Sequence, residues 1–479
     1  MFTMSVEKIV EVTDAQLLCR GTREVGGEVV TDSRAAGEGG VFVAFCGERV
    51  DGNVYLAPAA RQGAAVVVAS SEVADEVLSE ASELGCTVLR AEGDDCEEFL
   101  LRLARARCEE RPDWLVLAVT GSVGKTTTKE MLAAGVGATR RCHATKGNLN
   151  SLIGMPLTVL SAPEDSEVLV LELGMNHAEE IARMSASCRP TLAAITNVGT
   201  SHIGILGSRE NIARAKAEIV TGMSAHGDVA PALALASSGD FTDFIADGFA
   251  RPAGVEVLPV GTGAGDLVRA EGVSLDDHGR ARFCARCADG WSRDVALSLP
   301  GAKLVDDFLL ALALVWRAGL DRDAAVDAIE RMEATSMRLN VLEASSGARV
   351  IDDSYNAAPA SMASSLDVLS SMTCSGRRIA VLGEMGELGD EAARLHGYVG
   401  AYAAAKGVDL LVIIGGELAD AMAEAARTMG LSEDAIERLD SVERAVDVIG
   451  PVLAEGDLVL VKASRASGLD QFVRGVLAR

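Results

Sequence analysis

Short, continuously apolar runs alternate with alanine-rich, helix-prone segments along most of this chain. Typical runs in the middle and last thirds are WLVLAVTG, EVLVLELG, TLAAITNVG, RIAVLGEMG, DLLVIIGG and DLVLVKASR. Strands that are apolar at consecutive positions are buried on both faces, and intervening helices provide parallel connections. The pattern predicts an α/β fold, in which functional loops follow the carboxyl ends of the strands.

The length of 479 residues is too great for one ordinary hydrophobic core. At a typical domain length of about 150 residues, the chain should contain about three domains. A charged helical segment, EEFLLRLARARCEERPDW, ends near Pro112, and the pattern of runs restarts after Glu333. We therefore expect domains at 1–111, 112–333 and 334–479.

Composition excludes some classes of function. A net charge of -26 opposes non-specific binding to nucleic acid. The first residues lack a basic start followed by a long apolar core, and no uncharged run approaches membrane-spanning length. The ten cysteines are scattered, and the close pair in CARC has no second pair to complete a zinc site. These observations predict a cytoplasmic protein with reduced thiols, no nucleic-acid partner and no membrane insertion.

The segment TGSVGKTTTKEM follows a predicted strand and opens a predicted helix, as a phosphate-binding loop does. Its glycines let the backbone approach phosphates, and the helix start offers free N–H groups. Lys125 would reach the β- and γ-phosphates, and Thr126 would bind Mg²⁺. Val119 stands where the general formula has glycine. The predicted nucleotide-binding residues of the loop are Gly121, Ser122, Val123, Gly124, Lys125, Thr126 and Thr127.

Three further side chains are predicted to converge on this loop. Glu172 ends one strand, His202 follows the next, and Lys216 lies on the helix after that. A carboxylate suits Mg²⁺, and a histidine can supplement it. Taken singly, each is more often a solvated surface residue, so the prediction depends on their shared neighbourhood.

Two more polar segments carry chemistry. Asp32, Ser33 and Arg34 precede a strand, where Arg34 can bind a phosphate or carboxylate through two parallel hydrogen bonds, although an ordinary turn has the same composition. In DDSYNAAP, Asp353, Tyr355 and Asn356 leave a strand together. A capped loop is the alternative interpretation there.

Together these motifs resemble the Mur ligase family of peptidoglycan synthesis, in an order and spacing that cover nearly the whole chain. The resemblance rests on TDSR, VFVAFCGE, TGSVGKTTTKEM, TKGNLNSLIGMPLT, LELGMNHAEEI, ITNVGTSHIG, ARAKAEI, DDSYNAAPASM, LGEMGELG and VKASR. It implies a small α/β domain for the UDP-substrate, a central doubly wound P-loop domain for ATP, and a C-terminal Rossmann-like domain.

The resemblance also implies roles for individual residues. The implied substrate-binding residues are Asp32, Ser33, Arg34, Thr145, Lys146, Asn148, Asn150, Tyr355, Asn356, Ser464 and Arg465. Arg338 and Asp353 join the loop as implied ATP-binding residues. The implied metal ligands are Thr126, Glu172, His202 and Lys216, the last as a carbamate, and the implied catalytic residues are Lys125, Glu172, His202 and Lys216.

The implied reaction is an ATP-dependent amide ligation that uses two Mg²⁺ ions. The carboxylate of a UDP-N-acetylmuramoyl-tripeptide becomes an acyl phosphate, and the amine of D-alanyl-D-alanine then attacks it. LGEMGELG and DDSYNAAP favour this member of the family over one adding the third amino acid or a folate polyglutamylating enzyme. A catalytically weakened regulatory relative is a further alternative. We expect a monomer.

Some positions depart from the family pattern. GAKLVDDF has Lys303, Leu304 and Asp307 where relatives have histidine and asparagines, and Leu235 and Ser237 replace an asparagine and an aspartate. Family glycines in the closing loop are alanines here, at positions 463 and 466. The phosphate and metal residues are retained, so we predict an active ligase with a remodelled adenine pocket.

Overall fold

Three large β-sheets, each flanked by helices, follow one another along the chain. The computed structural model describes residues 2–47 and 50–478. Glu48, which belongs to the VFVAFCGE motif, lies outside the described residues. The predicted α/β class is confirmed, with sheets of five, nine and six strands.

The first sheet has the order β2-β7-β6-β5-β4, in which β4 to β7 are parallel and β2 is antiparallel to β7. A short antiparallel pair, β1 and β3, lies beside it. The strands are β1 (Phe2–Thr3), β2 (Gln16–Cys19), β3 (Gly26–Gly27), β4 (Val29–Val30), β5 (Val41–Val43), β6 (Val66–Ala69) and β7 (Thr87–Arg90). The helices are α1 (Val6–Thr13), α2 (Leu56–Arg61), α3 (Asp75–Glu83) and α4 (Cys96–Glu110).

The second sheet has the order β16-β15-β14-β13-β12-β11-β8-β10-β9. Its strands are β8 (Leu115–Thr120), β9 (Cys142–Ala144), β10 (Val168–Glu172), β11 (Leu192–Ile195), β12 (Ala232–Ala236), β13 (Glu256–Gly261), β14 (Val268–Leu275), β15 (Arg280–Cys287) and β16 (Ser292–Pro300). Its helices are α5 (Lys125–Gly137), α6 (Gly154–Leu160), α7 (Glu180–Cys188), α8 (Ile203–Leu206), α9 (Arg209–Ala217), α10 (Thr242–Ile245), α11 (Leu304–Arg317) and α12 (Arg322–Glu330).

The register of this sheet positions the predicted site. Glu172 at the end of β10 pairs with Val119, and Ile195 at the end of β11 pairs with Thr120, on either side of β8. The phosphate loop, Glu172 and the segment after β11 therefore leave the sheet at the same edge. The parallel prediction holds from β9 to β14, but β14, β15 and β16 form an antiparallel extension that the apolar runs do not predict.

The third sheet has the order β17-β18-β22-β19-β20-β21 and is parallel except for β17. Its strands are β17 (Asn340–Glu343), β18 (Arg349–Asp352), β19 (Arg378–Gly383), β20 (Leu410–Ile414), β21 (Ile436–Leu439) and β22 (Leu458–Lys462). Its helices are α13 (Pro359–Ser371), α14 (Ala392–Ala405), α15 (Glu417–Thr428), α16 (Val442–Ile449) and α17 (Asp470–Leu477). Because β18 lies beside β22, the DDSYN and KASR segments emerge side by side.

Aliphatic side chains fill both faces of each large sheet. On β8, Val116 and Ala118 face one buried cluster, while Leu117 and Val119 face another. Helix α4 packs against α6 and α7 and shares a core with the central sheet, so the exact boundaries at 111/112 and 333/334 stay predictions. Among the described residues, no helix is long and apolar enough to cross a membrane.

Candidate active site

The phosphate-loop motif forms a tight turn between β8 and α5. Gly121 and Gly124 have φ angles of +148° and +87°, which favour glycine. A Cβ atom on Gly121 would lie 1.8 Å from Thr196 Oγ1, and one on Gly124 would lie 2.5 Å from Asp307 Oδ1. Both glycines are therefore required by backbone conformation and by close packing.

Lys125 folds back over the loop at the start of α5. Its Nζ donates hydrogen bonds to the carbonyl oxygens of Gly121 (2.9 Å) and Ser122 (3.4 Å). The N-cap, Gly124, provides no side-chain acceptor for the first N–H groups of the helix. A cation and unpaired N–H groups at a helix start together form a site for an anion such as a phosphate.

The segment after β11 braces the loop, which sequence reasoning missed. Thr196 Oγ1 and Asn197 Nδ2 both donate to the carbonyl of Val123, at 2.6 and 2.8 Å. Asn197 Oδ1 accepts from Val123 N at 3.1 Å, and Ser122 Oγ accepts from Gly199 N at 2.9 Å. The sequence feature that could have indicated this contact is the polar Thr-Asn pair directly after a buried strand.

Glu172 is buried and held by three hydrogen bonds. Its Oε2 accepts from Thr126 Oγ1 (2.9 Å), and its Oε1 accepts from Asn150 Nδ2 (2.7 Å). Its backbone N–H donates to Thr145 Oγ1 (3.0 Å). Thr145 and Asn150, predicted to face the substrate, thus also fix the position of the carboxylate. Asn148, from the same loop, is exposed to solvent.

Lys129 is a further contributor that sequence reasoning did not identify. It lies one turn after Lys125 on α5 and is 1% exposed. Its Nζ donates to the carbonyl oxygen of Thr145 (2.7 Å) and contacts the carboxylate of Glu130. Lys129 therefore ties the phosphate-binding helix to the segment that supports Glu172. Little in the sequence indicates this role for Lys129, because a lysine on an amphipathic helix usually faces solvent.

Lys125, Glu172, His202 and Lys216 act on one another electrostatically. The pKa of Lys125 is lowered by loss of water around the amine, against the attraction of Glu172. The pKa of Lys216 lies well below its usual value because the amine is buried and because Lys125 is close by. The pKa of His202 is lowered first by burial, and the charges of Lys125 and Lys216 add to this effect. The structure thus brings the four predicted residues together.

The donor set of this cluster fits one Mg²⁺ ion. The hydroxyl of Thr126 and the carboxylate of Glu172 are oxygen donors within 2.9 Å of each other. Mg²⁺ commonly takes one or two protein oxygens and completes its shell with water and substrate phosphates. Within residues 2–47 and 50–478, no three His, Cys, Asp or Glu side chains form a metal cluster, so a second ion would need an additional ligand.

Comparison with known proteins agrees with this geometry. Residues 119–315 match the Mur ligase middle domain, and residues 337–465 match the Mur ligase glutamate ligase domain. The UDP-N-acetylmuramoyl-tripeptide–D-alanyl-D-alanine ligase of Bacillus subtilis is 32% identical over 449 residues, covering 94% of this chain and 93% of that protein. The chain belongs to the Mur ligase family.

Solved structures show the same architecture for this Mur ligase. MurF from Acinetobacter baumannii superposes with a TM-score of 0.87 at 27% identity, over 100% of this chain and 99% of that one. MurF from Thermotoga maritima, solved in complex with ADP, gives 0.79 at 25% identity, over 94% and 97% of the two chains. The resemblance that the motifs predict is therefore confirmed over the full length.

In this Mur ligase the linker into the third sheet lies near Lys125 of the phosphate loop. The guanidinium of Arg338 lies 4.4 Å from the ring centre of Tyr355, and its charge contributes to the lowered pKa of Lys125. Arg465 Nη1 donates to Met337 Sδ at 3.5 Å. The predicted residues Arg338, Tyr355 and Arg465 therefore lie together on the C-terminal side of the site.

The carboxylate of Asp353 accepts hydrogen bonds from residues in the C-terminal part of the chain. Its Oδ2 accepts from Lys462 Nζ (2.5 Å) and Ser365 Oγ (2.6 Å), and its Oδ1 accepts from Leu339 N (3.3 Å). Lys462 also donates to the carbonyl oxygen of Asn356 (3.0 Å). Asp353, predicted to bind ATP, here anchors the linker, and its role toward ATP stays a prediction.

Two other groups of predicted residues make local contacts. Asp32 accepts the guanidinium of Arg34 at 2.6 to 3.1 Å, and this contact lowers the pKa of Asp32 to about 2. Ser33 starts a short 3-10 helix beside them, and the Arg34 side chain is 88% exposed. Ser464 Oγ lies 3.1 Å from Ser467 Oγ in the KASR turn. No contact among the described residues joins Asp32, Ser33 or Arg34 to the phosphate loop.

The divergent GAKLVDDF segment packs directly on the phosphate loop. Asp307 Oδ1 accepts from Thr128 Oγ1 at 3.0 Å and lies against Gly124. Burial raises the pKa of Asp307 to about 8, with a further contribution from Asp306. The Lys303 side chain is 76% exposed, so it does not fill this region. The departure from the family pattern therefore places a buried carboxyl beside the loop.

Proposed function

We propose that this Mur ligase joins D-alanyl-D-alanine to UDP-N-acetylmuramoyl-tripeptide and converts ATP to ADP and phosphate. The observation that carries the proposal is the full-length similarity to a ligase of that name, 32% identical over 94% of this chain. The clustering of Lys125, Glu172, His202 and Lys216 supports it, because these residues would supply phosphate and metal contacts in such a ligase.

Lys125 is the residue that we expect to hold the transferred phosphoryl group. In the structure its amine is bonded to two loop carbonyls, so it needs only to rotate toward a phosphate oxygen to exchange neutral partners for an anionic one. Hydrogen bonds to charged acceptors are the stronger ones. Arg338 adds a second positive charge from the linker. Charge stabilisation and positioning dominate phosphoryl transfer.

Thr126 and Glu172 would hold a Mg²⁺ ion in this scheme. When bound, the ion neutralises charge on the ATP phosphates and polarises the γ-phosphoryl group. Asn150 holds the Glu172 carboxylate, and Thr145 holds the Glu172 backbone N–H. Within the described residues, the Lys216 amine makes no hydrogen bond or ion pair, and its lowered pKa favours the neutral amine that reacts with CO₂. We therefore include a carbamate on Lys216 as a further metal ligand.

In the proposed chemistry, a tripeptide carboxylate oxygen attacks the γ-phosphorus, and the bond to the ADP oxygen breaks. The amine of D-alanyl-D-alanine then attacks the acyl carbon, and phosphate leaves with the electron pair of the C–O bond while the amine loses a proton. Water would hydrolyse the acyl phosphate, so the C-terminal domain must cover the site during the reaction. The exposed loop around Asn148 and the Arg34 turn are available for the UDP-substrate.

A coupled assay of ADP release tests the proposal. ADP should appear only when the UDP-tripeptide and D-alanyl-D-alanine are both present, and Lys125→Met should lower kcat by about 100-fold or more, as loss of a charge-stabilising group does. Lys8→Met, which changes an exposed lysine in the first domain, serves as the control. ADP release with single amino acids in place of the dipeptide would reassign the enzyme to another ligation step.

A further inference from the structure

The LGEMGELG segment, residues 382–389, reaches from the end of β19 to the central domain. Glu387 Oε2 lies 2.5 Å from Nδ1 of His202. The ring N–H does not point straight at this oxygen, so the contact is an ion-pair contact without hydrogen-bond geometry. Glu387 therefore brings a carboxylate from a different domain into contact with His202, a predicted catalytic residue.

The backbone around this pair is built for close approach. Gly204 N donates to the carbonyl oxygen of Glu387 at 3.1 Å, and a Cβ atom on Gly204 would lie 2.5 Å from Gly389 N. His202 and Glu387 have φ angles of +64° and +61°, which non-glycine residues adopt only where surrounding contacts hold them. Two residues in strained conformations thus face each other where glycines let the domains touch.

The chemistry of imidazole gives this contact a consequence. A neutral imidazole carries its proton on one ring nitrogen and a lone pair on the other, and the partner of the first nitrogen decides which is which. Histidines that bind metals commonly donate their second N–H to a carboxylate, which fixes both the tautomer and the ring orientation. Glu387 is placed to do this at Nδ1 and so to leave the lone pair on Nε2.

We propose that Glu387 is a positioning residue which, when the C-terminal domain closes, holds the proton of His202 on Nδ1 and thereby makes Nε2 available to the reaction centre. The LGEMGELG segment then acts as a latch: it couples closure of the C-terminal domain to the correct protonation of His202 in the active site. This inference rests on the proposed function only for its kinetic consequence, since the tautomer and the domain contact can be measured without turnover.

Three variants test the latch by steady-state kinetics. Glu387→Ala removes the carboxylate, and Glu387→Gln keeps an acceptor oxygen of the same reach. Glu391→Ala is the matched control, because Glu391 lies two residues after this segment but pairs with Arg394 within its own domain. We expect Glu387→Ala to lower kcat by about 10- to 100-fold, as loss of the partner of a metal-binding histidine does. Glu387→Gln should recover part of this loss, while KM for ATP and the control variant change little.

The imidazole ¹⁵N spectrum provides a readout that a purely structural role would not move. The chain has six histidines, and His202→Asn identifies the signals of residue 202. In the wild-type protein we expect His202 with its proton on Nδ1, and in Glu387→Ala a shift toward the other tautomer. Glu391→Ala should leave the signals in place.

Two results would overturn the latch: an unchanged His202 tautomer in Glu387→Ala, or equal kcat in Glu387→Ala and Glu391→Ala. If the wild-type protein releases no ADP with the proposed substrates, the proposed function is wrong, but the ¹⁵N comparison still decides the contact. Should Glu387→Ala unfold at a lower temperature than Glu391→Ala, the ¹⁵N spectrum of Glu387→Gln is compared with that of the wild type. His202 should then have the same tautomer in both.

Discussion

Lys129 and Thr145 illustrate how single buried contacts support the active site. Neither needs to touch a substrate, yet Lys129 fixes the Thr145 carbonyl, and the Thr145 hydroxyl fixes the backbone of Glu172. The motif predicted Lys125, because a lysine that follows a glycine-containing turn between a strand and a helix is typical of a phosphate-binding loop. It could not predict Lys129, whose function depends on a strand that is distant in sequence.

Replacing Lys129 with methionine should test this support. Lys129→Met keeps most of the side-chain volume but leaves the buried Thr145 carbonyl without its donor. We expect the free energy of unfolding to fall by about 1–3 kcal/mol, the usual cost of an unsatisfied buried polar group. Denaturant unfolding measures this change, with Lys8→Met as the exposed control. Equal stability of the two variants would contradict the structural role of Lys129.

Asp307 should make stability depend on pH. Its pKa of about 8 in the folded protein lies above the value of about 3.9 for an unfolded chain. The stability that this carboxyl contributes is therefore complete below about pH 4 and falls as the pH rises to about 8, because the unfolded chain releases the proton over this range while the buried carboxyl keeps it. In Asp307→Asn, we expect the free energy of unfolding to fall between pH 4 and pH 8 by at least about 2 kcal/mol less than in the wild type. Unfolding curves between pH 4 and 8 measure it, with the exposed Asp228→Asn as control.

At the scale of secondary structure, the buried parallel strands could be predicted, and the antiparallel extension could not. Strand β8 is buried at every position, so its apolar run is unmistakable. Strand β15, RARFCARC, alternates buried positions with half-buried or exposed ones, and its charged residues hide the pattern. The helix that carries Lys216 was predicted, and Ser208 caps it by accepting from Asn211 N. Capping and periodicity are local, whereas strand order depends on the whole sheet.

Glu330 covers the outer edge of the antiparallel strands β14 to β16, which leads to a prediction about its replacement. Strand β16 is the last in the nine-stranded sheet, and Glu330 Oε1 accepts from Ala296 N on that strand at 2.7 Å. Its other oxygen contacts Arg293, which Asp327 also contacts. Glu330→Ala should cost about 1–3 kcal/mol and promote association through the freed strand edge. Asp327→Ala removes only the arginine contact and is the matched control.

Denaturant unfolding and light scattering distinguish these variants. We expect Glu330→Ala to unfold at lower denaturant concentration and to scatter more than Asp327→Ala at the same protein concentration. If the two variants scatter equally, protection of the β16 edge by Glu330 is wrong.

At the scale of the whole molecule, contacts across the central and C-terminal parts complete the site. Arg338 in the linker acts electrostatically on Lys125, and Glu387 from the third sheet contacts His202. Convergence of Lys125, Glu172 and His202 could be predicted, because strands of one parallel sheet end at one edge. The partner of His202 could not be predicted, because no local pattern indicates which loop of another domain will lie against it.

The β14–β15 hairpin is a second contact between these parts. Thr373 N donates to the carbonyl oxygen of Asp277 at 2.9 Å, and Thr373 Oγ1 donates to Asp277 Oδ1 at 3.2 Å. Gly279, at the same turn, has a φ angle of +71°, and a Cβ atom there would lie 2.9 Å from Met372 Cγ. The close approach of the hairpin to the end of α13 therefore uses the space that the missing side chain of Gly279 leaves.

Gly279→Ala should loosen the C-terminal domain, and Gly290→Ala provides the matched control. Gly290 has a φ angle of +94° in the next hairpin turn, but a Cβ atom there would meet nothing within 4 Å. Both substitutions should cost about 1–2 kcal/mol of backbone strain, whereas only Gly279→Ala also separates the domains. Small-angle scattering should show a larger radius of gyration for Gly279→Ala, with kcat reduced because closure precedes the reaction. Equal radii and equal kcat for the two variants would mean that the hairpin does not help to hold the C-terminal domain over the phosphate loop.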